Sequence, residues 1–279
     1  MRGNYLVEKV KPDPWNLTVN TDVGSNVSLE TLFCYAQKGV FLHLRPSEKG
    51  GLIMTFCEEV REETDLYWQG SFDHPFVKGL VDGTLPLEKF KFYMMQDAYY
   101  LKNYTKVLAI AASKAETNED IAYFLETARH INEAELELHR TVFKELGITE
   151  EMEVNFEPAP AAYNYVSHMY NAAHNGDVAE AFAAMFPCPW LYQEIGEKYK
   201  DAKPGIKLYE EWIEMYSAPD YKEKIELQKA MMNRYAEENP AKQSVLKAHF
   251  EKSCYYEWKF WEMPWTYEDW QDEVKNYAY

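Results

Sequence analysis

From Met54 onward, apolar positions recur at helical spacing, and no strand-type alternation of useful length interrupts them. Thr55 is placed to cap a helical stretch reaching about Phe72. The turn Asp82-Gly83-Thr84-Leu85-Pro86 then opens a long, mostly apolar helix to about Ala115, with Pro86 near its first position. Asn118 starts the next, whose Ile121, Phe124, Leu125, Ile131, Leu138 and Phe143 lead to a stop at Gly147. Glu157-Pro158-Ala159-Pro160 reads as a linker, and 161–174 as a helix ending at Gly176. Asp177 caps another, carrying Val178, Ala181, Phe182 and Met185; its pattern resumes with Leu191, Tyr192 and Ile195 and ends by Lys203-Pro204-Gly205. Helices over 206–216, 220–238 and 241–262 follow, with an irregular tail after Pro264. The pattern predicts an all-α protein with a single multi-helical domain over 54–279.

The interruption between Met185 and Leu191 is Phe-Pro-Cys-Pro-Trp, a cysteine between two prolines. Proline inside a helix removes a backbone hydrogen bond and costs roughly 3 kcal/mol, so a kink is expected at Cys188. A kink aims a side chain where a straight helix would not. Tyr192, one turn on, is placed to donate a hydrogen bond to Cys188 or its adduct. A small buried thiol in a bent core helix is the alternative.

Residues 1–53 break the pattern. They hold Pro12, Pro14 and Pro46 with Gly24, Gly39, Gly50 and Gly51, sustain no helical period and carry a net charge of +1, against −18 for 54–279. They read as a weakly ordered extension, a start assigned too early, or a leader foreign to the natural protein.

Composition narrows the class. A net charge of −17 over 279 residues disfavours nucleic acid or an anionic membrane surface as the main partner. No apolar run is long enough for a transmembrane helix, and no secretory signal stands at the N-terminus. Cys34, Cys57, Cys188 and Cys254 form no C-x-x-C pair, so free thiols in a reducing cytoplasm are expected. With 22 Tyr and 8 Trp, the helical core can wall a pocket with hydroxyls.

Polar groups on otherwise apolar faces mark candidate chemistry. Tyr93, Asp97, Tyr100 and Tyr104 share one helix face, and a carboxylate among tyrosines there needs partners. The segment 162–170 is rich in hydroxyls, and Tyr216 closes the helical segment that starts at 206. Glu257 is flanked by Tyr255, Tyr256, Trp258, Phe260 and Trp261, where desolvation would raise its pKa and suit it to deliver a proton near neutrality. Each also has a bland reading as a hydrogen-bonded core position. Nucleotide-binding glycine motifs, H-E-x-x-H and G-x-S-x-G are absent. No histidine has a glutamate three residues before it, which disfavours a di-iron site.

His74-Pro75-Phe76-Val77-Lys78-Gly79-Leu80-Val81-Asp82-Gly83-Thr84-Leu85-Pro86 and Gln96-Asp97-Ala98-Tyr99-Tyr100-Leu101 resemble the TenA/thiaminase II family. So do the segments 163–170 and 187–196, and Tyr255-Tyr256-Glu257 before Phe260-Trp261. The resemblance spans about 54–265 and lies in the branch that keeps the cysteine. It implies a helical fold like that of haem oxygenase, a homotetramer, no cofactor, and C–N bond hydrolysis on a 4-amino-2-methylpyrimidine, either thiamin or its aminomethyl degradation product. It also implies roles. Cys188 is the nucleophile, Asp97 holds the ring amino group, and Glu257 binds and protonates the ring. Tyr100 packs on the pyrimidine, while Tyr165, Tyr192 and Tyr216 line the site. Two other readings stay open: a haem- or metal-dependent oxidase on the same fold, and a non-catalytic pyrimidine-binding protein.

Overall fold

The computed structural model describes residues 54–271, apart from the side chains of 134–139. The reading of 1–53 and the end of the 54–279 domain lie outside the described residues.

The chain winds through α1 (Phe56–Glu63), α2 (Asp65–Phe72), α3 (Pro75–Val81), α4 (Leu87–Lys114) and α5 (Asn118–His130). A π turn, Ile131–Glu135, leads into α6 (Leu136–Glu145) and the short α7 (Glu150–Val154). Next come α8 (Pro160–Asn175), α9 (Val178–Met185), α10 (Pro187–Tyr199), α11 (Lys207–Ser217) and α12 (Pro219–Glu238). A 3₁₀ turn, Pro240–Lys242, precedes α13 (Gln243–Thr266). No strand occurs among the described residues, as the periodicity predicts.

Capping chemistry sets several starts. Thr55 and Glu58 form a capping box, each side chain bonding the other's backbone N–H. Asp177 accepts from the Glu180 amide, and Thr117, one residue before the expected start, caps α5. The His74 ring accepts from the Phe76 amide, opening α3, a helix the periodicity did not mark out because it spans only two turns.

The structure also departs from the pattern. The stretch from Thr55 to Phe72 is two helices, because Thr64 turns the chain and bonds its hydroxyl back to the Val60 carbonyl. The expected kink at Cys188 is a junction: α9 ends at Met185, Phe186 links it, and Pro187 opens α10. Pro187 and Pro189 both fall in the first turn of α10, where the missing N–H groups cost little. Pro264 does not end the last helix. It is buried inside α13, which runs on to Thr266 and stops where Tyr267 turns left-handed at φ 56°.

Helices α4 and α13 form the centre. On α13, Leu246, Phe250, Cys254, Phe260 and Trp261 make a buried stripe, with Glu257 in its middle. On α4, Phe90, Tyr93, Tyr100, Tyr104 and Leu108 make another, interrupted by Asp97. Each stripe therefore carries one carboxylate into the interior. Helices α8, α10 and α11 close around the pair. Ser253 Oγ donates to the Ala184 carbonyl at 2.7 Å, tying α13 to α9.

Helices α10 and α11 approach closely at Gly196, where an added Cβ would lie 2.4 Å from the Tyr216 carbonyl carbon and 2.5 Å from its oxygen. Both neighbours are backbone, so no rotamer relieves the clash. Gly196→Ala is expected to lose roughly 3 kcal/mol of stability, read from urea unfolding, and to move Tyr216. An unchanged midpoint would mean that α11 is free to shift.

Candidate active site

Five helices bring the sequence-chosen residues to one place. Glu257 is 1% exposed. Its Oε1 accepts the Tyr165 hydroxyl at 2.6 Å, joining α13 to α8. The Cys188 thiol, half-buried at the start of α10, also donates to the Glu257 carboxyl.

Burial pushes the Glu257 carboxyl up from its usual 4.5 to about 8, the hydrogen bonds from Tyr165 and Cys188 pull it back, and the charge of Asp97 adds to the rise. Near neutrality this group therefore exists in both protonation states. It can take a proton from the thiol beside it and give one to a bound base.

Tyr100 packs against Tyr165 with ring centroids 5.0 Å apart, and Tyr256 stacks on Tyr165 at 5.5 Å. The Tyr100 hydroxyl is buried, with the Tyr165 hydroxyl as its nearest hydrogen-bonding neighbour. Burial holds the phenols of Tyr100, Tyr165 and Tyr192 well above their ordinary range, so they stay protonated and can donate.

Asp97 lines a recess of about 530 Å³, counting solvent at its mouth, together with Phe90, Tyr93, Met94, Trp212 and Tyr216. Tyr216 meets Tyr192 edge to face at 4.8 Å. The Tyr192 hydroxyl lies 3.1 Å from that of Tyr93, which also accepts the Trp212 indole N–H at 3.4 Å. Cys188, Glu257, Asp97, Tyr100, Tyr165, Tyr192 and Tyr216 thus share one region.

The sequence pattern placed Tyr93 on the Asp97 face without giving it a role, and did not single out Trp212. Each sits four positions before a chosen residue, Asp97 and Tyr216, and so shares its helix face. That spacing was the available signal.

No three His, Cys, Asp or Glu side chains gather to hold a metal ion among the described residues. No described helix is long and apolar enough to cross a membrane.

Known proteins share this arrangement of helices. A Bacillus subtilis protein named aminopyrimidine aminohydrolase is 40% identical over 225 residues, covering 79% of this chain and 94% of its own. A TenA homologue from P. horikoshii OT3 superposes with a TM-score of 0.71 at 34% identity, over 76% of this chain and 99% of that one. A Shewanella denitrificans domain of unknown function with a heme oxygenase-like fold aligns at TM-score 0.59 and 14% identity, covering 78% of this chain and 94% of that one. The last likeness is one of fold alone, and it meets the expected architecture. The TENA/THI-4/PQQC family profile matches residues 61–267, and the chain belongs to that family.

Proposed function

We propose that residues 54–279 form a catalytic unit that hydrolyses the C–N bond at the methylene of 4-amino-2-methylpyrimidines. Its products are 4-amino-5-hydroxymethyl-2-methylpyrimidine and the released amine or thiazole. The chain is a hydrolase of thiamin salvage, a class supported by relatives named aminopyrimidine aminohydrolase. The substrates are 4-amino-5-aminomethyl-2-methylpyrimidine, thiamin, or both. The single observation carrying the mechanism is a thiol bonded to the carboxyl of Glu257, which is buried in an aromatic setting that favours its protonated form.

An aminopyrimidine ring resists nucleophiles until a ring nitrogen is protonated. Glu257 takes the Cys188 proton and delivers it to that nitrogen. The thiolate then adds to a ring carbon, forming an S–C bond. Electrons returning from the ring expel the leaving group from the methylene and break the C–N bond. Water adds at the methylene carbon and gives up one proton to the released amine or to solvent; expulsion of the thiolate restores the ring, and the ring-nitrogen proton returns through Glu257 to the sulfur. One hard displacement becomes two easier steps. Asp97 accepts from the ring amino group, Tyr100 stacks on the ring face, and Tyr165 steadies Glu257. The homotetramer and cytoplasmic location implied by the resemblance belong to the same proposal.

The test is product formation from each substrate by pure protein dialysed against chelator. Turnover of either is expected, and a much higher kcat/KM for the aminomethyl compound would identify a salvage enzyme. If neither is turned over by folded protein, the reading fails.

A further inference from the structure

A count of protons in the recess singles out two residues that the proposed chemistry leaves unused. Trp212, Tyr93 and Tyr192 form a chain of hydrogen bonds: the indole Nε1 lies 3.4 Å from the Tyr93 oxygen, and that oxygen lies 3.1 Å from the Tyr192 oxygen. All three residues are buried, with Tyr93 fully so and enclosed by the rings of Phe76, Phe90, Phe260 and Trp261.

An indole N–H can only donate, so the Tyr93 oxygen is the acceptor in the first bond. The second bond can in principle run either way. If Tyr192 donated to Tyr93, the Tyr93 proton would have no acceptor among the described residues and would sit unpaired in an aromatic cage. The satisfied arrangement therefore runs from Trp212 to Tyr93 to Tyr192. It leaves one proton unspent, on Tyr192. Burial keeps that phenol protonated, and the neighbouring Tyr93 and Asp97 reinforce this. The ring of Tyr192 packs edge to face on Tyr216, which lines the recess.

We infer that Trp212 and Tyr93 are positioning residues, which fix Tyr192 as a hydrogen-bond donor to the bound pyrimidine or its thiol adduct. This rests on the aminopyrimidine reading above for the identity of the ligand, while the direction of the chain rests on the hydrogen-bond geometry alone. Without Tyr93, the Tyr192 hydroxyl would lose its fixed acceptor role and turn freely. Without the Trp212 N–H, both directions of the Tyr93–Tyr192 bond would be open.

A double-mutant cycle tests it. Tyr93→Phe and Tyr192→Phe are each expected to lower kcat by about 10-fold, with KM changed less than about 3-fold. The double variant should be within about 2-fold of Tyr192→Phe alone, because Tyr93 acts only through Tyr192. Trp212→Phe should lose less than Tyr93→Phe, and nothing further in the Tyr192→Phe background. Losses that multiply in the double variants would overturn the inference, as would a kcat within about 2-fold of wild type for Tyr93→Phe. If Tyr93→Phe unfolds, the cycle between Trp212 and Tyr192 decides the question by the same criterion. If wild type turns over neither substrate yet binds 4-amino-5-hydroxymethyl-2-methylpyrimidine, the cycle is run on Kd by tryptophan fluorescence. The hydrolase reading then falls, while the coupling is still measured.

Discussion

Serine in place of Cys188 is expected to lower kcat/KM for the aminomethylpyrimidine or thiamin by about 10²-fold or more, while the product pyrimidine still binds. The reason is specific to sulfur. A thiol gives up its proton to a carboxyl near pH 8 far more readily than a hydroxyl does, and thiolate is the better nucleophile and leaving group. The substitution removes little volume at a half-buried position, so folding should be nearly unchanged. The other described thiols supply the control. Cys57 is 3% exposed and bonded to the Lys229 carbonyl at 3.5 Å, and its burial drives its pKa far up. Cys254 is likewise pushed up to about 12 by burial. Cys57→Ser should retain activity, and iodoacetamide should label Cys188 first, with loss of activity in proportion to labelling. Full activity of Cys188→Ser would remove covalent catalysis from the mechanism.

The helical class was plain in the sequence because its signal is periodic and long. The stripe from Phe90 to Leu108 and that from Leu246 to Trp261 leave no other way to bury their apolar residues. The same stripes exposed Asp97 and Glu257 as polar intrusions, and burial then accounts for the raised pKa expected of Glu257. What the sequence hid is set by contacts between distant segments. Nothing local says that the Cys188 thiol meets a carboxyl 69 positions later, or that Tyr192 bonds Tyr93 on another helix. Nor does proline spacing distinguish a kink within a helix from a junction between two, because that depends on where Phe186 packs against Trp190 and Phe250. Short helices were missed for a related reason: α3 and α7 are too brief to show a period. The residues at the helix crossing were equally silent, since Gly196 becomes a constraint only once α11 lies against it.

Glu257→Gln separates two properties that wild type combines. Gln cannot exchange a proton with the thiol or the ring, so kcat is expected to drop by about 10²- to 10⁴-fold. Its carbonyl oxygen can still accept from Tyr165, which keeps α8 joined to α13. Stability should move the opposite way with pH. In the folded protein Glu257 titrates near 8, against 4.5 in the open chain. Between those values the native state holds a proton that the unfolded state has released, so the wild-type fold loses stability as pH rises through the window. Below 4.5 both states are protonated and this loss is absent. The difference amounts to roughly 4 kcal/mol by about pH 8, taking about 1.36 kcal/mol for each pH unit. Glutamine carries no such charge. Relative to wild type, Glu257→Gln should therefore gain stability between about pH 5 and pH 8, seen as urea midpoints that diverge as pH rises. Parallel midpoints across that range would mean that Glu257 titrates near its ordinary value. The group proposed to carry the proton would then be a simple carboxylate, and an acid able to activate the ring would have to be sought elsewhere in the site.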